Sequence, residues 1–204
     1  MAKHKESVDS QILTRIKNHR RGWVFTPTEF LDLGSRNAVA STLKRMKAAN
    51  TIRQLSRGLY DYPRLDNKQS PLSPTTDSIA KTLKGKDDSR LQPSGAHAAN
   101  ILGLSAQVPI RTVYLTDGRA RKVLIGKRQI ILKHTSSRQM ATACRISGTV
   151  IQALRWLGQS NMDKNVITIL KRRLSKRDKQ QLFEDIRYAP TWATEIIRQV
   201  AKKD

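Results

Sequence analysis

Between residues 35 and 49 the sequence SRNAVASTLKRMKAA separates into two faces when set on a 3.6-residue period. Ala38, Val39, Thr42, Leu43, Met46 and Ala49 share one side; Arg36, Asn37, Ala40, Ser41, Lys44, Arg45 and Lys47 share the other. No acidic residue interrupts the second face. The stretch is therefore predicted to be a helix with one side buried and a cationic side left for solvent or a polyanion. Ser35 stands where an N-cap is needed, with a hydroxyl able to accept from a free N–H of the first turn. Gly34, just before it, is expected to turn the chain with a positive φ.

The flanking sequence extends the pattern. Residues 7–18 carry Val8, Ile12, Leu13 and Ile16 at helical spacing after a frayed start over residues 1–6. His19-Arg20-Arg21-Gly22 ends that helix, with Gly22 as C-cap and cations suited to the negative end of the dipole. In Thr26-Pro27-Thr28-Glu29, Thr26 reads as N-cap of a short helix over residues 28–31, with Pro27 at its first position and Glu29 at its third. Trp23-Val24-Phe25 is a β-like run that can pair with two more, residues 51–55 and 59–62, joined by Ser56-Arg57-Gly58. Helix, turn, basic helix and basic-tipped hairpin form the order of a winged helix-turn-helix. A major groove asks for small hydrogen-bonding residues near the start of the inserted helix and cations further along. The DNA-binding candidates are Arg36, Asn37, Ser41, Lys44 and Arg45 on that helix, Arg57 on the wing, and Arg20, Arg21 and Thr28 beside the groove. For Arg20 and Arg21 the alternative is helix capping alone.

Charge favours the same class of partner. The chain has 204 residues and a formal net charge of +23, with a pI near 10.9. The excess is spread: +7 over residues 1–62, +1 over 63–74, +9 over 75–145 and +6 over 146–204. A field of this sign favours nucleic acid, or an acidic protein for the second half. At 38% hydrophobic the chain can bury a core. A single cysteine, Cys144, excludes an intrachain disulfide and a cysteine-based zinc cluster. No long apolar run or signal peptide is read, so the expected location is the cytoplasm, with no membrane partner.

Residues 63–76, PRLDNKQSPLSPTT, hold three prolines and few apolar residues and read as a linker between a first domain over 1–62 and a second over 77–204. In the second, residues 77–84 and 97–102 read as helices and residues 90–92 as a brief strand. Residues 112–115, 122–125 and 129–133 read as further strands, with Thr116-Asp117-Gly118-Arg119 and Gly126-Lys127-Arg128 as hairpin turns. Four amphipathic helices follow. They carry Val150, Ile151, Leu154 and Leu157; Val166, Ile167, Leu170 and Leu174; Leu182, Phe183 and Ile186; and Trp192, Ile196 and Val200. Ser175 and Asp178 form a capping box before the third, and Pro190 opens the last. The fold class is α+β, a winged helix-turn-helix followed by an α+β domain with a small antiparallel sheet and trailing helices.

Catalytic signatures are sparse. Glu occurs only at positions 6, 29, 184 and 195, so the middle segment cannot build the Asp…Glu-x-Lys set of many metal-dependent nucleases. Asp87-Asp88 reads as a solvated turn rather than a Mg²⁺ grip. The four histidines lack metal-ligand spacing; His97 reads as packed, and His134 with Thr135-Ser136-Ser137-Arg138 as a polar loop that could at most hold a phosphate. Cys144 has Arg145 beside it but no nearby base. No enzyme activity, cofactor or metal is expected.

Gly34-Ser35-Arg36-Asn37-Ala38-Val39, Arg57-Gly58-Leu59-Tyr60-Asp61-Tyr62-Pro63 and Gly95-Ala96-His97-Ala98-Ala99-Asn100 give the chain a resemblance to AbiEi-type antitoxins. It resembles still more closely those relatives known only as a domain of unknown function. The resemblance covers nearly the whole chain. It implies a bacterial or phage-borne type IV toxin–antitoxin operon, in which the antitoxin binds repeats in its own promoter, represses it, and counteracts a nucleotidyltransferase toxin through its C-terminal domain. That counteraction is generally held not to need a stable complex. The implied partners are double-stranded operator DNA, arranged as inverted repeats, and the cognate toxin. The +9 over residues 75–145 leaves room for RNA, through Arg119, Arg121, Lys122, Lys127, Arg128 and Lys133 on the hairpin, where strand alternation would align several on one face. The rival readings are a winged-helix regulator or nucleic-acid-binding protein with no toxin partner and, behind it, a nuclease or transferase in residues 75–204.

Overall fold

The computed structural model describes residues 7–202, so the frayed start expected over residues 1–6 lies outside it. The chain is α+β and divides into two compact units, Met1–Thr82 and Leu83–Asp204.

The first unit opens with α1 (Val8–Asn18), capped by the Ser7 hydroxyl, which accepts from the Ser10 N–H. A 3-10 turn, Pro27–Phe30, leads to α2 (Arg36–Ala48). Strands β1 (Val24–Phe25), β2 (Arg53–Ser56) and β3 (Leu59–Asp61) form an antiparallel sheet in the order β1-β3-β2. Ile12 and Ile16 of α1, Phe25, Phe30, Val39 and Leu43 of α2, and Ile52 make its core. Phe25 and Phe30 meet edge to face at 5.4 Å, a preferred aromatic geometry.

Two glycines work differently from the expectation. Gly34 has no positive φ. A Cβ there would come within 3.1 Å of the Val8 side chain, so Gly34 lets α1 approach the start of α2. The left-handed residue after α1 is Arg20 (φ 64), and the C-cap is His19. Gly22 (φ 98) instead donates its N–H to the Tyr62 carbonyl at 2.6 Å, starting β1 alongside β3.

Residues 63–76 are not an extended linker. The Asp66 carboxylate accepts the N–H groups of Lys68 and Ser70, and Leu72 N–H returns to the Arg64 carbonyl at 2.8 Å. Proline lacks a donor but keeps its acceptor, and the Arg53 guanidinium takes the carbonyls of Pro71 and Leu72. Helix α3 (Thr76–Lys84) follows, with Thr82 donating to the Val24 carbonyl at 2.9 Å. These bonds draw the first unit out to Thr82 rather than residue 62.

The second unit holds β4 (Leu91–Ser94), α4 (Gly95–Ile101), β5 (Arg111–Thr116), β6 (Arg121–Ile125) and β7 (Arg128–His134). The sheet is mixed, not antiparallel: its order is β4-β5-β7-β6, with β5 and β7 parallel. Asp117-Gly118 is therefore not a hairpin turn. It begins a crossing over the end of β7, where His134 Nδ1 lies 2.9 Å from the Gly118 carbonyl. Asp117 also accepts the Arg90 N–H at 2.6 Å and its guanidinium at 2.8 Å. Burial would push that carboxyl up, but these Arg90 donors outweigh it and hold it below the usual range. Composition explains the strand order. Ile130 and Leu132 are each 1% exposed and take the inner position, whereas cationic β6 suits an edge. Pro93 sits in the other edge strand, β4, where a missing donor is tolerated.

Helices α5 (Ile146–Leu157), α6 (Lys164–Arg173), α7 (Lys176–Glu184) and α8 (Thr194–Ala201) pack with α4 around Ala98, Leu102, Ile151, Leu154, Leu170, Leu182 and Ile197. The capping box of Ser175 and Asp178 is formed. One apolar expectation misses, since Phe183 is exposed; in α8 Ile197 and Val200 are fully buried and Ile196 packs half-buried against the same core. Gly148 on α5 leaves room for Gln92 of β4, whose Oε1 lies 2.3 Å from where a Cβ would stand.

Candidate nucleic-acid interface

The candidate site grows from α2. Its buried side is Val39, Thr42 and Leu43, locked against α1 and the sheet. Ser35 accepts the Ala38 N–H at 3.3 Å and sets where the helix begins. The other side presents Arg36, Asn37, Ala40, Ser41, Lys44 and Lys47 to solvent. Asn37, Ser41 and Lys44 follow one another at four and three residues along a single stripe, with Arg36 beside them. The side chains of Arg36, Asn37, Ser41 and Lys44 make no hydrogen bond or ion pair among the described residues. An exposed cation without an internal partner retains its full attraction for a phosphate, and an unengaged amide or hydroxyl can answer a base edge.

Arg45 differs. Its guanidinium grips the Asp9 carboxylate of α1 at 2.6 and 2.7 Å, and Thr42 donates to the same carboxylate. Sequence reasoning placed Arg45 among the groove residues because spacing puts it on the polar face; Asp9, acidic and twenty-seven or more positions earlier than α2, gave no signal of being its partner. Arg45 thus fixes the angle between α1 and α2. The Arg45 hydrogen bond, then that of Thr42, hold the Asp9 carboxyl below its ordinary range against slight desolvation. A carboxyl whose folded pKa is depressed contributes stability that is complete above its unfolded pKa and lost as pH falls through the folded one. Asp9→Asn is therefore expected to lower stability by a few tenths to about 1 kcal/mol at neutral pH, the scale of a solvent-exposed pair. The deficit should vanish as the wild-type carboxyl protonates below about pH 4, as denaturant melts across pH would record.

The remaining candidates occupy distinct environments. Arg57 is exposed at the tip between β2 and β3. Arg20 is exposed in its left-handed conformation. Arg21 donates to the Pro63 carbonyl at 3.1 Å and lies 4.9 Å over the Tyr62 ring, which makes part of its role structural. Thr28 exchanges a 2.6 Å hydrogen bond with Thr26. Sequence reasoning missed Arg15 and Arg53. Arg15 donates to both oxygens of Asp32 at 2.7 Å and to the Glu29 carbonyl at 2.6 Å, tying α1 to the turn before α2. Arg53 does the same for the hairpin, holding buried Asp61 at 2.6 Å.

In the second unit the six hairpin cations are exposed but do not share a face. The register sets Lys122 opposite Ile131, placing Lys122 and Lys133 on one side of the sheet. It sets Arg121 opposite Leu132 and Arg128 opposite Ile125, on the other side. Arg119 and Lys127 lie in the connections. The other polar candidates serve internal bonds: Thr135 donates to Gln139, Ser89 to Asp87, and buried His97 lies 2.9 Å from the Tyr114 hydroxyl. Among the described residues, no group of three His, Cys, Asp or Glu side chains could hold a metal ion, and no helix is long and apolar enough to cross a membrane.

A search of curated proteins returns no match. A family model does match, over residues 11–182, which takes in α2, the hairpin and both sheets. The chain belongs to the family of unknown function DUF6088.

Proposed function

We propose that the protein is an operator-binding antitoxin. Its first unit is a winged helix-turn-helix in which α2 enters the major groove and the β2–β3 turn with Arg57 is the wing. The observation that carries this reading is the acid-free face of α2, whose Arg36, Asn37, Ser41 and Lys44 are exposed and unengaged while the opposite face is locked into the core. Arg36 and Asn37 in the first turn read base edges; Lys44 and Arg57 hold phosphates and set the register. Arg15 and Arg45 act indirectly, as positioning residues that keep α1 and α2 rigid.

The antitoxin half rests on the resemblance carried by residues 34–39, 57–63 and 95–100. It gives the second unit the task of counteracting a nucleotidyltransferase toxin encoded beside it, in the cytoplasm. The test is co-expression with the neighbouring gene. Induction of that gene alone should arrest growth, and the full chain should restore it; Arg36→Ala/Asn37→Ala should still rescue while its own promoter is derepressed. A harmless neighbour, or no rescue by the full chain, overturns the antitoxin half and leaves a DNA-binding regulator.

A further inference from the structure

The corner between α6 and α7 carries a charge arrangement that folding does not explain. Lys171, Arg172 and Arg173 close α6, where cations suit the negative end of the dipole. Lys176 and Arg177 then occupy the first two positions of α7, where the dipole favours the opposite sign. Only Leu174 and Ser175 separate the two groups. The single carboxylate at the corner, Asp178, is consumed by the capping box, accepting from the Ser175 N–H at 3.0 Å and its hydroxyl at 2.7 Å. Arg173 donates to the Ile101 carbonyl at 3.0 Å. Arg172, Lys176 and Arg177 are exposed and make no hydrogen bond or ion pair among the described residues. Like charges gathered against a dipole, with the local acid already used, weaken the helix start; a position that breaks a local rule without structural return marks a site of function.

The chemistry of the corner narrows the partner. The corner itself, residues 171–178, holds no Phe, Trp or Tyr; the exposed Phe183 lies two turns further along α7. Single-stranded nucleic acid is held largely by stacking on such rings, and protein docking surfaces depend on aromatic or aliphatic anchors. Here Leu174 is buried and its exposed neighbours are polar. Between its cations the corner thus offers charge without a ring or aliphatic anchor, which suits the regular phosphates of a duplex.

We propose that Arg172, Lys176 and Arg177 grip the sugar–phosphate backbone of duplex DNA flanking the sequence read by α2, a second and sequence-independent contact supplied by the second unit. The placement on flanking DNA rests on the winged-helix reading of the first unit.

The test uses the full chain with Arg172→Gln, Lys176→Gln and Arg177→Gln combined. Thermal melts should be unchanged or slightly raised, since the substitutions relieve repulsion at the start of α7. Binding is then titrated between about 50 and 200 mM salt on a duplex carrying the promoter sequence and on a scrambled duplex of equal length. Each lost phosphate contact removes about 0.9 from the slope of log K against log salt, so the triple variant should lose about 2–3 units of slope on both duplexes. Its preference for the promoter should stay intact. An unchanged slope and affinity would overturn the proposal, making the corner a solvated one. A loss confined to RNA of the same length, with duplex DNA binding unaltered, would overturn it equally. The two readings fail separately: absence of any promoter preference in the wild-type chain defeats base reading by α2, while the slope change judges the corner.

Discussion

Replacing Arg53 with Ala is expected to destabilise the first unit by about 3–5 kcal/mol, the scale for removing one partner of a buried ion pair. Asp61 is 1% exposed, and Arg53 supplies it with two hydrogen bonds, from Nε at 3.0 Å and from Nη2 at 2.6 Å. Without them a carboxylate is left in the sheet with neither water nor a countercharge. The same guanidinium holds the carbonyls of Pro71 and Leu72, so the loop over residues 63–76 should loosen in the same variant. Arg53→Lys should lie between the two, because a single ammonium cannot reproduce the planar fork. Hydrogen exchange on the full chain separates the units: protection should fall at β1, β3 and α3 and persist in α5. A cost under about 1 kcal/mol would show the pair to behave as a surface bridge.

The elements legible in the sequence were those whose signal is local. The period of α2, its Ser35 cap, the Ser175–Asp178 capping box and the runs that became β1 to β3 follow from neighbours a few residues apart. What escaped was set by distant partners. Arg45 sits on the polar face of α2 whether or not Asp9 waits across from it, and nothing near Arg45 announces that pairing. The proline-rich stretch has the composition of a linker; its order comes from the turn that Asp66 caps and from Arg53, a residue outside it. The strand order failed for a similar reason. Consecutive strands pair often enough that β5–β6 was the natural expectation. The deciding fact was relative burial: β7 is apolar enough to displace β6 to the edge. The basic hairpin illustrates the step from composition to geometry. Six cations close in sequence are divided between two faces and two connections once the register is set, so they form no single patch.

Rigidity links these structural findings to the proposed DNA reading. Base readout requires the first turn of α2 to be held within a few tenths of an ångström, and loops alone rarely supply that. Here the burial of Val39 and Leu43, the Asp9 clasp on Arg45 and the Arg15–Asp32 pair all act on the two helices that would meet the duplex. Neutralising a phosphate-binding cation and neutralising a clasp should therefore look different. The first weakens binding with the melt unchanged; the second lowers the melt as well.

The central claim is that Arg36 and Asn37 read bases, and its most direct measurement is the affinity of Arg36→Ala/Asn37→Ala for promoter and scrambled duplexes at one fixed salt concentration. Each lost base contact is worth about 1–3 kcal/mol, so the double variant should lose roughly 2–6 kcal/mol on the promoter if the two contacts are independent. On scrambled DNA the loss should be small, with the melting temperature held. Equal losses on both duplexes, or none on either, would contradict the account.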